Sequence, residues 1–555
     1  MSQHFDVVVI GSGAGGGTLA QRLAPTGKSI LILERGDHLP REAENWNPKA
    51  VFIENKYRTK DVWYDRRGKP FHPNSHDWVG GNTSFYGAAL MRLREGDFHE
   101  TRHKGGVSPA WPIDYQDLRP YYDEAEVLWK VHGLRGTDPT EPADSPAYAY
   151  PAIPNDPGVE QLKTHLETQG WRPFSLPLGI DRDEGRPLTT PCIKCRTCGG
   201  YPCLLKAKCD ARTRAVEPIL SYPNVTLLTG RKAVKLETDP RGGAVTAVVT
   251  ESAHGQETWR GDIVVVAAGA VNTAALLLAS ANAAHPTGLA NGSDQVGRNY
   301  VFHTLTAMVS LTLAPMGCFF PKTLAVNDFY WKDPRGGFDY PMGHIQMLEY
   351  MTAQTLEGQI SQYLPPALAP DMLFEAAAER LMSFLVISED LPDPDNRVRL
   401  GSDGRIFVDY QHNNLEGHQR LVDTLRHALD GFVSHAHPIS QHHLEFSSLL
   451  PLYGTAHQAG TVRFGRDPAA SVLDPWCKAH QLDNLYVVDT GFFATSAAVN
   501  PTLTTVANAM RVGDHLKERL CATAPPSPGA LCWGAEPISV EPGDGTRFPE
   551  GSHPG

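Results

Sequence analysis

The chain has 555 residues, more than one ordinary core holds, so two domains, consecutive or intertwined, are expected. Its 41% apolar and 20% charged residues are those of a soluble globular protein, and a formal charge of −12 without a basic stripe argues against nucleic-acid binding. A strand pattern that begins at Phe5 leaves no place for a secretory leader, so a cytoplasmic location is expected, with the nine cysteines as thiols.

Residues 5–10 are an apolar strand run that leads into Gly11-Ser-Gly13-Ala-Gly-Gly16. Gly11 permits a tight turn, Gly13 lets backbone approach a pyrophosphate, and Gly16 allows close packing of helix on strand. A helix is expected over 18–23 and a second strand over 29–33, stopping at Glu34. A carboxylate at that strand tip accepts hydrogen bonds from both ribose hydroxyls of an adenosine and disfavours a 2′-phosphate, so a dinucleotide other than NADP is expected. Residues 37–76 lack a clear period and read as an excursion over the surface. Gly80-Gly81-Asn82-Thr83-Ser84 then forms a loop whose backbone can press against a flat or phosphorylated ligand.

Residues 115–132 read as a helix, followed by Pro-rich connections. Cys192, Cys195 and Cys198 have a spacing like that of iron–sulfur ligands, but Cys203 and Cys209 do not complete the pattern, and no histidines accompany them for zinc. Packing thiols are the favoured reading, redox-labile thiols another, and no metal is assigned. Strands at 225–234 and 244–259 precede residues 262–270, a central strand ending in Ala268-Gly269-Ala270, where a bulky side chain would block a ligand. The longest apolar run, 264–281, contains Gly269, Asn272 and Thr273 and reads as strand, turn and helix rather than a membrane span.

From 306 to 449, segments at 306–313, 345–351, 384–389, 398–400 and 406–410 read as strands of one antiparallel sheet, with helices at 372–381 and 416–432. This stretch is expected to cover the substrate. His457 stands among small residues before Gly460-Thr461 and suits a general base beside a cofactor, whereas His442, His443 and His480 have no such context. A last strand at 485–488 runs through Asp489 and a polar turn into a helix over 502–516. Asn500 suits its N-cap and Pro501 its first position. The positive helix end then faces whatever lies before Asn500, and a ring that becomes anionic on reduction would be stabilised there. Residues 521–555 are rich in Pro and Gly and expected to be flexible.

Together, Gly11-x-Gly13-x-x-Gly16 with Glu34, Gly80-Gly81-Asn82-Thr83-Ser84, Ala268-Gly269-Ala270, His457-x-x-Gly460-Thr461, and Asp489 through Asn500-Pro501-Thr502 resemble the glucose–methanol–choline (GMC) oxidoreductases, which are FAD-dependent alcohol-oxidising enzymes. The resemblance implies an α/β fold with a Rossmann-like FAD-binding domain over 1–45, 77–100, 192–305 and 450–520. A second α+β domain over 46–76, 101–191 and 306–449 would carry the antiparallel sheet over the substrate site. It implies a catalytic pair of His457 and Asn500, the Asn-Pro ending being similar to the pyranose-oxidase and cholesterol-oxidase side of the family. His457 would take the hydroxyl proton while hydride passes to flavin N5, and Asn500 would orient the hydroxyl. Asp489 would hold the ribityl chain, the backbone at Ala233 and Val234 would meet adenine, and the helix from Pro501 and Thr502 would face the flavin.

The resemblance implies noncovalent FAD, because the place where some members carry a linking histidine reads Thr83-Ser84-Phe85-Tyr86. The expected substrate is a sugar, glycoside or other polyol, and the expected acceptor oxygen, a quinone or a redox protein. Two other readings stay open: a lyase of the hydroxynitrile type with structural FAD, and the catalytic subunit of a multi-subunit dehydrogenase that relays electrons through the cysteine region.

Overall fold

The structure, a computed structural model, describes residues 4–520 apart from 313, 361–370, 433–434, 440–448 and 455. The expectations for 521–555, His442 and His443 fall outside the described residues. Strand β1 (His4–Ile10) is buried at every position from Val7 to Ile10, as a strand covered on both faces must be. β2 (Ile30–Leu33) lies parallel to β1, and β3 (Val225–Leu228) parallel to β2. β4 (Lys232–Thr238), β5 (Val245–Ser252) and β6 (Gly255–Val266) form an antiparallel meander. β6 belongs to both halves of the sheet: residues 255–259 pair with β5, and residues 260–266 lie parallel to β1. Its last residues also run parallel to β7 (Leu485–Val487). The carboxyl ends of β1, β2, β6 and β7 therefore share one edge, the place where open parallel sheets bind ligands.

Three helices set that edge. α1 begins at Ala14 rather than Thr18 and runs to Leu23. Glycine is a poor helix former, at about 1 kcal/mol per residue against alanine. Packing overrides this cost, since a Cβ on Gly15 would stand 2.0 Å from the carbonyl oxygen of Val488. α2 (Ala270–Ala279) leaves the end of β6, and α3 (Thr502–Arg519) follows β7 and packs on α1, where Arg22 Nη2 meets Asp514 Oδ2 at 2.7 Å.

A second, antiparallel sheet has the order His435–Ile439, Thr304–Leu311, Leu381–Ser388, His344–Met347, Leu324–Val326, Phe174–Ser175. The two-residue period of its strands sorts the side chains. Met308, Phe384 and Val386 join Leu162, Leu166, Leu421 and Leu425 of the helices Pro157–Thr168 and Leu415–Ala428 in one buried cluster. Leu305, Ala307, Ser383 and Leu385, on the opposite face, line a cleft under the edge of the first sheet.

Several expected elements are placed differently. Arg397–Leu400 and Ile406–Asp409 do not join the antiparallel sheet; they pair with each other and continue through Trp63–Asp65 to Pro70–Phe71. The segment expected as bare excursion holds a buried Trp63, and Tyr64 packs on Phe407 with ring centroids 5.3 Å apart, so it needs this partner. The helix expected at 372–381 ends at Ala378, because Leu381 already pairs with Leu311. The helix expected at 115–132 stops at Leu128, before a short strand at Val131–Gly133. Among the described residues no helix is long and apolar enough to cross a membrane.

Candidate active site

The cleft has a volume of about 1020 Å³. Gly11, Gly13 and Glu34 line it, as do Gly81, Asn82, Thr83, Ala233, Val234, Ala268, Gly269 and Asp489, together with His457, Asn500, Pro501 and Thr502. Gly16, Gly80 and Ser84 stand behind the wall. A Cβ on Gly16 would be 2.1 Å from Gly11 O, and Gly80 N donates to Ser12 Oγ at 3.1 Å. Ser84 turns its carbonyl to the buried ammonium of Lys208, 3.3 Å away.

The β1–α1 turn carries the features of a phosphate cradle. Gly13 has no protein atom within 4 Å of the place a Cβ would occupy, so any side chain there would project into the cleft. The unpaired N–H groups that open α1 lie beside it. Glu34 is held ready at the end of β2: Oε2 accepts from Ser12 N (3.0 Å) and Ser12 Oγ (2.6 Å), and Oε1 from Gly36 N (2.9 Å). Ser12 was not singled out from sequence, although its place inside the glycine motif was the available signal.

Asp489 takes a bracing position. Its Oδ2 accepts from Gly269 N (3.0 Å) and Thr273 Oγ1 (2.5 Å), and its Oδ1 from Gly491 N (2.8 Å). Burial raises its pKa to about 6. These bonds tie the start of α2 to the end of β7, with Asp489 still on the cleft wall.

The turn before α3 is fixed from behind. Trp111 donates from Nε1 to Thr495 Oγ1 at 2.8 Å and meets Phe464, Phe492 and Phe493 edge-on at 5.3, 5.9 and 5.3 Å. Ala498 N donates to Tyr330 OH at 3.2 Å. Pro501, not Asn500, is the capping residue, and Thr505 N donates to its carbonyl at 3.1 Å. Asn500 thus stands one residue outside the helix, because its side chain makes no cap bond. Its Oδ1 is buried without a hydrogen-bond partner among the described residues. A buried amide oxygen in that state costs free energy until a ligand satisfies it.

His457 reaches the same cleft on a segment bound to the sheet edge. Thr461 Oγ1 donates to Ala270 O at 2.6 Å, and Gly460 N to Thr490 O at 3.1 Å. The residue is half-buried and lines the cleft, and protein encloses the imidazole closely enough to lower its pKa to about 4. Its Nδ1 lies 3.1 Å from Nδ1 of His303, a buried residue that nothing in its local sequence marks. His480, given no role, bonds to Ser471 Oγ at 2.9 Å.

The cysteines have packing partners. Cys198 Sγ accepts from Lys322 Nζ at 3.0 Å, and Cys209 Sγ from Arg214 Nε at 3.1 Å. Burial pushes the thiols of Cys192 and Cys209 up to about 12. Among the described residues no three His, Cys, Asp or Glu side chains are grouped to hold a metal ion.

These residues fit FAD. The open cradle at Gly13, the carboxylate at the β2 tip, the orphaned carboxamide oxygen of Asn500 and the positive end of α3 are the contacts a flavin dinucleotide requires.

Comparison with known proteins agrees. Residues 67–305 and 392–509 match family models described as GMC oxidoreductase, and residues 9–59 match a NAD(P)-binding Rossmann-like domain. The chain is 32% identical over 547 residues to 6'''-hydroxyparomomycin C oxidase of Streptomyces lividus, covering 93% of this chain and 92% of that protein. It is 32% identical over 530 residues to paromamine 6'-oxidase of Streptomyces fradiae, covering 91% and 90%. It is 28% identical over 550 residues to 2-methyl-1,2-propanediol dehydrogenase of Mycolicibacterium austroafricanum, covering 93% and 96%. The crystal structure of pyridoxine 4-oxidase from Mesorbium loti superposes with a TM-score of 0.64 at 18% identity, covering 93% of this chain and 99% of that one, a likeness of fold. The chain belongs to the GMC oxidoreductases and is an FAD-dependent enzyme that oxidises a CH–OH group.

Proposed function

We propose that the CH–OH group oxidised belongs to a sugar, glycoside or related polyol, with His457 as the base and Asn500 as its partner. The observation that carries this reading is that a neutral, enclosed imidazole and a carboxamide with an unsatisfied oxygen line one cleft. The substrate class is supported by relatives named as oxidases of 6'''-hydroxyparomomycin C and of paromamine and as a fructose dehydrogenase large subunit of Gluconobacter japonicus. The cleft wall also offers Asn74, Ser75, Ser383 and Glu349 to a substrate with several hydroxyls.

FAD, held by Glu34, the β1–α1 turn and the residues around Asn500, supplies the hydride acceptor when bound. The protein's own part is proton handling and orientation. His457 is uncharged at neutral pH and takes the hydroxyl proton on its lone pair, a contribution of roughly 10²–10⁴-fold for a well-placed base. Asn500 fixes the same hydroxyl through its amide without competing for the proton. The first N–H groups of α3, next to Thr502 and Thr505, place positive potential in the cleft and favour the negative charge that builds up as electrons arrive.

The test is anaerobic mixing of the holoenzyme with a panel of sugars, glycosides and simple alcohols while the flavin absorbance is followed. Bleaching by sugars or glycosides supports the reading, and bleaching by none of them sinks it. Admitting air afterwards identifies the acceptor: recovery of the yellow colour assigns oxygen, and recovery only with an added quinone or redox protein assigns a dehydrogenase.

A further inference from the structure

We propose that His303 is a positioning residue that fixes the tautomer and orientation in which His457 accepts a proton. The inference rests on His457 being the base. The backbone brings the two rings together: Val301 N donates to Ala459 O at 3.1 Å and Ala459 N to Val301 O at 2.8 Å, an antiparallel bridge whose register sets 303 opposite 457. The imidazoles meet nearly at right angles, 86° between planes, with centroids 5.1 Å apart and Nδ1 facing Nδ1 at 3.1 Å. On its other side, His303 Nε2 lies 2.9 Å from the carbonyl oxygen of Ser496.

The protons follow from this geometry. A carbonyl oxygen only accepts, so His303 Nε2 carries the hydrogen. In a neutral ring its Nδ1 then holds the lone pair, and the hydrogen between the two Nδ1 atoms belongs to His457. That leaves the lone pair of His457 on Nε2, the atom a base needs.

Two further observations show that the position is specified by its surroundings. His303 is held at φ +75°, in the left-handed region that side-chain-bearing residues rarely adopt, with its ring fully buried. Its neighbours are clamped to one residue: Asp390 N donates to Ser496 Oγ (3.2 Å), and Asp390 Oδ2 accepts from Phe302 N (3.2 Å) and Tyr410 OH (3.0 Å).

The experiment compares His303→Gly, which suits the positive φ and leaves a hole the size of imidazole, with His303→Asn, which tolerates the same φ and puts Oδ1 where Nδ1 accepted. Per bound FAD, His303→Gly is expected to slow anaerobic flavin reduction by roughly 10–100-fold, the scale on which orienting partners act, with KM changed little. Added imidazole is expected to restore much of that rate, and His303→Asn to stay within a few-fold of wild type. A second readout needs no turnover: histidine C2–H exchange, followed by peptide mass spectrometry, is expected to show the His457 midpoint moving toward the ordinary histidine value in His303→Gly and staying in place in His303→Asn. A wild-type rate in His303→Gly overturns the proposal. So does a loss without imidazole response and with unchanged His457 exchange, and so does an equal loss in His303→Asn. His457→Ala separates the two layers: if it reduces flavin as fast as wild type, the base assignment itself fails. If His303→Gly does not fold, the rate and exchange expected of His303→Asn decide the matter.

Discussion

Acidification separates an enclosed base from an exposed one. Desolvation lowers His457 from the ordinary 6.5 to about 4. At about pH 5.5, an imidazole with the ordinary value is roughly 9% neutral, and one with a value of about 4 is roughly 97% neutral. The limiting rate of flavin reduction is therefore expected to fall by less than about a tenth between about pH 7.5 and 5.5, where an ordinary histidine would lose about tenfold, and to be halved only near pH 4. The assay is anaerobic stopped-flow reduction of fully loaded enzyme at saturating alcohol, read at the flavin absorbance. A tenfold loss centred near pH 6.5 would refute the enclosure of His457. The same shift bears on stability. A histidine whose folded pKa is depressed contributes stability that is present above the unfolded value and is lost as pH falls from 6.5 toward 4, because the unfolded chain binds the proton first. His303, His344 and His418, with values of about 3, 4 and 3, act in the same sense.

Three further outcomes follow. Glu34→Ala removes the carboxylate that Ser12 and Gly36 hold at the β2 tip and is expected to weaken FAD binding by roughly 10–100-fold, about 1.5–3 kcal/mol for hydrogen bonds to a charged group, measured by fluorescence titration of the apoprotein. Asp390→Asn is expected to raise the melting temperature relative to wild type more at pH 8 than at pH 4. Burial lifts Asp390 to about 7, so the stability its protonated form provides is lost as pH rises from the unfolded carboxyl's ordinary value near 4 through about 7, and an amide never makes that loss. Acid precipitation is expected to release all of the flavin into the supernatant, since the stretch Thr83-Ser84-Phe85-Tyr86 holds no histidine where some members of the family carry a linking one; flavin retained in the pellet would contradict noncovalent binding.

What the sequence made legible is what local chemistry determines. The run into Gly11 and the run into Asp489 are apolar strands with no alternation, and such strands can only be central, so the ligand edge of the sheet followed from them. Glu34 stands out by its place at the tip of the second strand, and His457 and Asn500 stand out as a pair through the motifs that resemble the GMC family. The rest depended on pairings distant in sequence. His303 reaches His457 across 154 positions, through the Val301–Ala459 bridge, and no residue around it announces that contact. Arg397–Leu400 and Ile406–Asp409 read as strands from their residues, but their sheet does not, because the buried Trp63 that draws them away from the larger antiparallel sheet lies in a segment without period. α1 begins earlier than its glycines suggest, since their value lies in contact with Val488 rather than in helix propensity.

The most direct test is the limiting rate of anaerobic flavin reduction in His457→Ala, with FAD content matched to wild type and substrate saturating. Proton removal by this imidazole predicts a loss of roughly 10²–10⁴-fold with the flavin still bound. A rate within a few-fold of wild type would contradict it and would send the search for the base to another residue of the cleft.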